Sequence, residues 1–134
     1  MKILTIKQPW ASLIANNIKL YEFRTWKTNY RGPVLIHAGA TIDKDAMENF
    51  KHLELEFPTK KIVAVCEIAD CLALDDELNK RLINEKNIAY GSKWRDGYAF
   101  KLVNIKKLDL EDEVKGKLGL WNAPENIIKK LKDY

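Results

Sequence analysis

Residues 2–25, KILTIKQPWASLIANNIKLYEFRT, hold the strongest local structural signals in the chain. Lys2–Ile6 has the apolar, β-branched character of a short strand. Pro9 follows at a position that suits the first turn of a helix. The helix is expected to end near Asn17, because asparagine tolerates the left-handed backbone of a helix C-terminus. Ile18–Thr25 then predicts a second strand, so the segment predicts strand, helix and strand in immediate succession.

The rest of the chain continues with short strands and helices. Asn122 and Glu125 have the spacing of a capping box at the start of a last helix. About five strands without regular crossover helices favour an α+β fold over a doubly wound sheet. We expect residues 1–134 to form one domain, a small closed or half-closed β-barrel with helices packed around it. The further strands are predicted at Pro33–Ala38, Ile62–Leu74 and Tyr98–Leu108, and the further helices at Asp43–Phe57 and at Asp75–Lys86, capped by Asp75 or Asp76.

Composition restricts the function classes that the chain can belong to. The 134 residues include 23 Lys and Arg and 19 Asp and Glu, a net charge of +4, which permits nucleic-acid binding without requiring it. No apolar run reaches the roughly 18 residues of a membrane span. Cys66 and Cys71 have the spacing of neither a disulfide framework nor a metal site. We therefore expect a cytoplasmic protein, monomeric, with no membrane partner, no metal and no cofactor.

Glu67 is the first candidate functional residue, because it interrupts the apolar strand IVAVCEIADCL at residues 62–72. Strand alternation places it on a face with apolar neighbours, where a carboxylate needs a cation or hydrogen-bond donors. We expect Glu67 to be buried and within ion-pair reach of Lys19 or Arg24. Two interpretations stay open, a buried salt bridge that only stabilises the fold and a carboxylate of a functional site.

Lys19, Glu22 and Arg24 form a second candidate group in the stretch KLYEFR. Strand alternation places Glu22 and Arg24 on one face and Lys19 on the other. Lys19 can reach the side of Glu22 only if it lies on the turn between the helix and the strand. The alternative is a solvated strand face with a simple Arg24–Glu22 pair.

Further candidates are aromatic and cationic side chains that suit stacking on bases or contact with phosphates. Ordinary packing, or a solvated turn, is the alternative for each of them. Trp10 lies on the apolar face of the predicted helix, where a place in the core is favoured and stacking on a base is the alternative. His37 lies in an apolar strand and is expected in the core. The candidates are Trp26, Tyr30 and Arg31 after the second strand, and Lys93, Trp94 and Arg95 in the loop 87–97.

Three stretches together resemble one known family: LTIKQPWASLI at 4–14, KLYEFR at 19–24 and YRGPVLIHAG at 30–39. They resemble the ASCH domain, a branch of the PUA-like superfamily, whose pattern is Gly-x-Lys-x-x-Glu-x-Arg. Lys19, Glu22 and Arg24 match that pattern, and Asn17 stands where glycine is usual. Because asparagine also adopts positive φ, we expect the turn to be kept. Residues 66–68 and 116–122 extend the resemblance over nearly the whole chain.

The resemblance implies a PUA-like β-barrel of five or six strands with a cleft between the barrel and the first helix. ASCH domains are proposed to bind RNA or nucleotides there, and some bacterial members are amidohydrolases on acetylated cytidine or ribonucleases. The amidohydrolase site is a lysine, a threonine three residues later and a strand glutamate. Lys19 and Glu67 correspond to the first and the last, and Glu22 stands at the threonine position.

Two main hypotheses follow. The first is an RNA- or nucleotide-binding module that recognises a nucleobase or RNA in a cleft lined by Lys19, Glu22, Arg24 and Glu67. The alternative is a metal-independent hydrolase acting on a modified nucleoside or RNA, with Lys19, Glu22 and Glu67 as catalytic groups. A third, weaker hypothesis is an adaptor within an RNA-processing complex.

Overall fold

The computed structural model describes residues 1–84 and 96–131. The predicted candidates Lys93, Trp94 and Arg95 lie outside the described residues. The strands are β1 (Lys2–Gln8), β2 (Tyr21–Arg24), β3 (Gly32–Ile42), β4 (Lys61–Ala73), β5 (Tyr98–Lys107) and β6 (Leu120–Asn122). The helices are α1 (Trp10–Ala15), α2 (Lys44–Glu48), α3 (Asp76–Asn84) and α4 (Glu125–Leu131), with a short 3-10 helix at Lys51–Leu53.

Within these residues the strands form one sheet in the order β2-β5-β4-β3-β1-β6. β1 and β3 are parallel, and the other neighbouring strands are antiparallel. The α+β class is confirmed. The predicted closure into a barrel is wrong, because no backbone pairing among the described residues joins β2 to β6 and the sheet stays open. Closure depends on pairing between strands far apart in sequence, which local patterns do not encode.

Four apolar clusters form the core of the described residues, and the two largest position the site. The larger one packs the buried side of α1 against the middle of the sheet, and its members include Leu4, Ile6, Ala11, Ile14, Val34, Ile36, Cys66, Ile68 and Phe100. The second cluster joins the sheet to α4, with Ile3, Leu35, Ile62, Leu108, Leu110, Trp121 and Ile127. α1 is thus fixed by burial of its apolar face, and its C-terminal end delivers the chain to β2.

Two helix starts are set by aspartate caps. The Asp43 side chain accepts a hydrogen bond from the Ala46 N–H at 3.0 Å, and the Asp75 side chain accepts one from the Leu78 N–H at 2.7 Å, which confirms the predicted cap. The predicted helix Asp43–Phe57 is much shorter than expected. Glu54 has a φ of +54°, a left-handed conformation that an α-helix cannot continue through.

β6 was not predicted, because a strand of three residues carries too little pattern. It pairs antiparallel with the start of β1. Asn122 lies in this strand, and its side-chain oxygen accepts a hydrogen bond from Lys2 Nζ at 2.8 Å. The predicted capping box is therefore wrong, since Asn122 is engaged in the sheet and α4 begins only at Glu125.

His37 connects the middle of the sheet to the segment before β6. It is fully buried, and its Nε2–H donates to the Val114 carbonyl at 2.7 Å. The Thr5 hydroxyl donates to His37 Nδ1 at 3.0 Å and accepts from Trp121 Nε1–H at 3.2 Å. The expectation of a satisfied core histidine is confirmed. Burial lowers the pKa of His37, with the Val114 hydrogen bond acting in the opposite direction.

We expect His37→Leu to lower the free energy of unfolding at pH 7.5 by about 1–3 kcal/mol, because it leaves the Thr5 hydroxyl and the Val114 carbonyl without a partner. Below the ordinary histidine pKa of 6.5 the unfolded wild-type chain takes up a proton that the folded one resists. The wild type therefore loses stability as the pH falls. The difference in free energy of unfolding between the wild type and His37→Leu, which we call the gap, should narrow. Urea unfolding of both proteins at pH 7.5 and pH 5 measures this; a gap that widens in acid contradicts it.

Candidate functional site

Lys19 is delivered by the turn that ends α1. Asn17 has a φ of +60°, which confirms the expected left-handed turn at the position where the ASCH pattern has glycine. The N–H groups of Ile18 and Lys19 both donate to the Leu13 carbonyl, at 2.9 and 3.1 Å. β2 begins only at Tyr21, so Lys19 lies on the turn, before strand alternation applies. This is the condition under which Lys19 can reach Glu22.

Glu22 and Arg24 form the predicted pair, but on a buried face rather than a solvated one. Glu22 is 6% exposed and lies opposite Phe100 of β5. Its Oε2 accepts from Arg24 Nη2 at 2.9 Å and from Arg24 Nε at 3.2 Å. Arg24 Nη2 also donates to the Thr5 carbonyl at 2.8 Å. β2 and β1 are four places apart in the sheet, so this contact requires the sheet to curl strongly.

The Lys19 ammonium lies among Glu22 and two aromatic rings. Its Nζ is 3.6 Å from Glu22 Oε1, 4.6 Å from the centre of the Phe23 ring and 5.6 Å from that of Trp10. The residue is 3% exposed, and burial lowers the pKa of Lys19 to about 8, although Glu22 acts to raise it. Arg24 lowers it slightly further. Two cations thus share one buried carboxylate.

Glu67 departs from the prediction. It is exposed, and among the described residues no ion pair joins it to Lys19 or Arg24. Its neighbours Cys66 and Ile68 point into the α1 side of the core, so Glu67 points to the other side, opposite Pro33. The pairing of β4 with β5 shifts register twice around this position. Strand alternation still holds here, because Val65 and Ala69, on the same face as Glu67, are half-buried and exposed; the prediction was wrong because it took this apolar face to be covered.

The remaining candidates in the described residues have local structural contacts. Trp26 is half-buried and packs edge-on against Phe100, with ring centres 5.2 Å apart. The Tyr30 hydroxyl donates to the Pro33 carbonyl at 2.6 Å. Arg31 donates to the Thr28 carbonyl at 3.0 Å, and its Nη2 lies 3.7 Å from Asp70 Oδ1. None of these contacts brings Tyr30 or Arg31 to Lys19.

Sequence reasoning missed two participants in the site. The Thr5 carbonyl carries no side-chain signal, and strand alternation placed Phe23 on the face opposite Glu22. Trp10 was favoured for the core, with stacking on a base as the alternative; it packs edge-on against Phe50 at 5.9 Å and also faces Lys19. The signal that could have found these contacts is the short turn before β2, because it brings Lys19 close to the rings of Trp10 and Phe23.

Residues 1–84 and 96–131 contain no group of metal-ligating side chains and no activated cysteine. No three His, Cys, Asp or Glu side chains in that part of the chain gather as metal ligands. Cys66 and Cys71 are both free, and burial raises the pKa of the Cys66 thiol to about 12. None of the described helices has the length and apolarity that a membrane crossing needs.

The ASCH domain family model matches residues 4–113. This range includes α1, the turn after it and the three charged residues Lys19, Glu22 and Arg24, which we call the cluster. The chain belongs to the ASCH family. ASCH domains are part of the PUA-like superfamily, which confirms the resemblance noted in the sequence.

Two curated relatives and two solved ASCH structures are similar to this chain. Activating signal cointegrator 1 from Homo sapiens is 26% identical and the Mus musculus protein 25%, over 92% of this chain. The chain spans only 22% of the length of these relatives. The crystal structure of ASCH from Zymomonas mobilis has a TM-score of 0.63 at 13% identity, covering 98% of this chain and 93% of that one. A structure of a mutant form gives 0.62 at 14% identity, over 98% and 96%. This ASCH domain therefore shares their fold.

We expect Lys19→Met to raise the stability of the ASCH domain at pH 7. A pKa lowered from 10.5 to about 8 means that the folded state holds the charged lysine about 3 kcal/mol less favourably than water does. Methionine can fill the space between Trp10 and Phe23 without a charge, and Arg24 still pairs with Glu22. Urea unfolding should show a gain of up to about 3 kcal/mol.

The pH dependence of the same variant provides a second check. Between pH 8 and pH 10.5 the unfolded wild-type chain keeps the Lys19 proton and the folded one loses it. Wild-type stability should therefore rise with pH across this window, and the Lys19→Met protein should lack that rise. A variant that is destabilised at pH 7 would mean that Lys19 is a structural counter-ion.

Glu22→Gln should have the opposite effect on stability. The amide keeps the shape of the side chain but leaves Arg24 and buried Lys19 without a counter-charge. Removing one partner of a buried ion pair lowers stability by about 3–5 kcal/mol. Thermal unfolding of this variant beside Lys19→Met tests whether the carboxylate, rather than the lysine, stabilises the fold; equal Tm values for both would contradict the assignment.

Proposed function

We propose that this ASCH domain recognises a nucleobase of RNA or of a nucleotide at Lys19, Glu22 and Arg24. The observation that carries the proposal is that the buried site holds two cations, Lys19 and Arg24, against the single carboxylate of Glu22. Arg24 alone already neutralises Glu22 at 2.9 Å. The additional ammonium makes the cluster a site of net charge +1, suited to a ligand that carries acceptor oxygens or phosphates.

The cluster presents complementary hydrogen-bonding groups side by side. Glu22 can accept from an exocyclic amino or imino N–H, and Lys19 can donate to a ring carbonyl or ring nitrogen. Cytosine and guanine both carry a donor next to an acceptor on their pairing edge, which fits this arrangement. Arg24 fixes the carboxylate in place, so the acceptor is oriented before a ligand arrives. Trp10 offers an adjacent aromatic ring for stacking.

We infer that a ligand approaches the cluster at Arg24, which is 23% exposed, and beside Trp10, which is half-buried. A phosphate can meet the exposed part of the guanidinium. With a net charge of +4 the ASCH domain should make few phosphate contacts. RNA binding is then expected to weaken only shallowly as salt rises.

We expect Lys19→Met to lower the affinity for nucleotides or short RNA by about 10–100-fold, the loss typical of one charge-assisted hydrogen bond. Lys44→Met, at an exposed position on α2, is the matched control and should bind like the wild type. Isothermal titration calorimetry with cytidine and guanosine monophosphates, and with a short single-stranded RNA, measures both. Wild-type protein that binds none of these probes would refute the proposal.

A hydrolase is the second candidate, favoured by one observation. With a pKa of about 8, Lys19 is partly neutral near physiological pH and can exchange a proton with a ligand held by Glu22. Glu67, the third group of the amidohydrolase pattern, is exposed and forms no ion pair with them. Incubation with acetylcytidine and with RNA separates the two functions. A hydrolase yields product at a rate that rises through about pH 8 and is lost in Lys19→Met; a binding module yields none.

A further inference from the structure

Leu118 is the most exposed large hydrophobic residue in the described part of the chain, at 98%. It lies at the tip of residues 115–119, KGKLG, which we call the tip segment. Lys115 and Lys117 precede it and are also exposed. The tip segment lies beyond the range 4–113 that the ASCH family model matches.

The tip segment is anchored at both ends, so its exposure does not come from a loose chain. Before it, the Val114 N–H donates to the Lys60 carbonyl at 2.7 Å, and the Val114 carbonyl accepts from His37. After it, Trp121 lies in β6 and donates to Thr5. Hydrogen bonds thus fix the backbone on both sides of Leu118, which reduces the conformational entropy that the tip segment itself would lose on binding.

The tip segment lies next to the proposed ligand site. A Cβ atom on Gly116 would come within 2.9 Å of Thr5 Cγ2, so the backbone of the tip segment packs directly on Thr5. The carbonyl of the same Thr5 accepts the hydrogen bond from Arg24. A single residue therefore separates the base of the tip segment from the guanidinium of the site.

The charge around Leu118 favours a polyanion as the partner. Residues 114–124 contain Lys115 and Lys117 and no acidic residue. The acidic residues lie earlier, at 109–113, where Asp112 pairs with Lys130 and Glu113 lies 3.9 Å from Lys60. One leucine is too little apolar surface to dock a protein or a membrane by itself. It is enough to pack against one base of a strand that is already held nearby.

We propose that the tip segment is a second contact for single-stranded RNA, with Leu118 packed on a base next to the recognised one and Lys115 and Lys117 paired with phosphates. This inference rests on the proposed function and specifies its ligand as a polynucleotide rather than a free nucleotide. An isolated nucleotide in the site cannot reach the tip segment with a second base. The two ligand classes should therefore respond differently to changes at Leu118.

The test compares Leu118→Ser with Ile42→Ser, a control at another exposed aliphatic residue, 41% exposed at the end of β3. Fluorescence anisotropy with a labelled short single-stranded RNA should show about a tenfold loss of affinity for Leu118→Ser and none for Ile42→Ser. Calorimetry with guanosine and cytidine monophosphates should show no change for either. The double variant K115S/K117S should reduce the salt slope of RNA binding by about 1.4.

The outcomes separate this inference from the proposed function. If Leu118→Ser binds RNA like the wild type while Lys19→Met does not, the site is supported and the tip contact is refuted. Loss of binding to anionic phosphatidylserine vesicles in Leu118→Ser, with RNA affinity unchanged, would assign the tip segment to membranes and overturn the inference. If the wild type binds neither RNA nor nucleotides, the proposed function fails and the RNA contact fails with it.

Discussion

The Arg24–Glu22 pair is the interaction on which the site depends. Because the guanidinium holds one carboxylate oxygen with two nitrogens and also reaches the Thr5 carbonyl, it fixes β2 against β1 across a sheet that backbone pairing leaves open. A buried carboxylate without this partner would be strongly destabilising. With it, the second oxygen of Glu22 remains directed at Lys19. The same contact therefore stabilises the curl of the sheet and orients the acceptor of the site.

We propose that Lys19 serves binding rather than stability. Its ammonium is buried between aromatic rings, next to a carboxylate that is already neutralised. The lowered pKa records that the folded protein holds this charge less favourably than water does. Groups with a shifted pKa are typical of functional sites, where a bound ligand can stabilise a charge that the free protein holds unfavourably. Thr5 connects this site to the tip segment, because its carbonyl accepts from Arg24 and its side chain packs on Gly116.

Local features of the sequence predicted much of this arrangement. The left-handed turn at Asn17 and the Glu22–Arg24 pair follow from a few neighbouring residues, and each is present. The strand predicted at Ile18–Thr25 begins too early, because β2 starts at Tyr21 and leaves Lys19 on the turn. His37 was correctly assigned to the core, because its apolar neighbours leave little room for another role.

Features that depend on distant residues were not predictable in the same way. The exposure of Glu67 is decided by which face of β4 the rest of the fold covers, and the open edge of the sheet is decided by which strands meet. β6 exists because β1 offers it an edge, not because three residues favour a strand. The Thr5 carbonyl enters the site through the backbone, where no residue type marks it.

The pKa of Lys19 in the free and the ligand-bound protein tests the account most directly. Nuclear magnetic resonance of the lysine Cε and Nζ atoms follows this one ammonium through a pH titration. We expect Lys19 to titrate at about pH 8 in the free protein. Its pKa should rise clearly when a nucleotide or RNA saturates the protein, because the ligand's oxygens stabilise the charged form. Titration near the ordinary value of 10.5, or a pKa that no nucleotide or RNA changes, would contradict it.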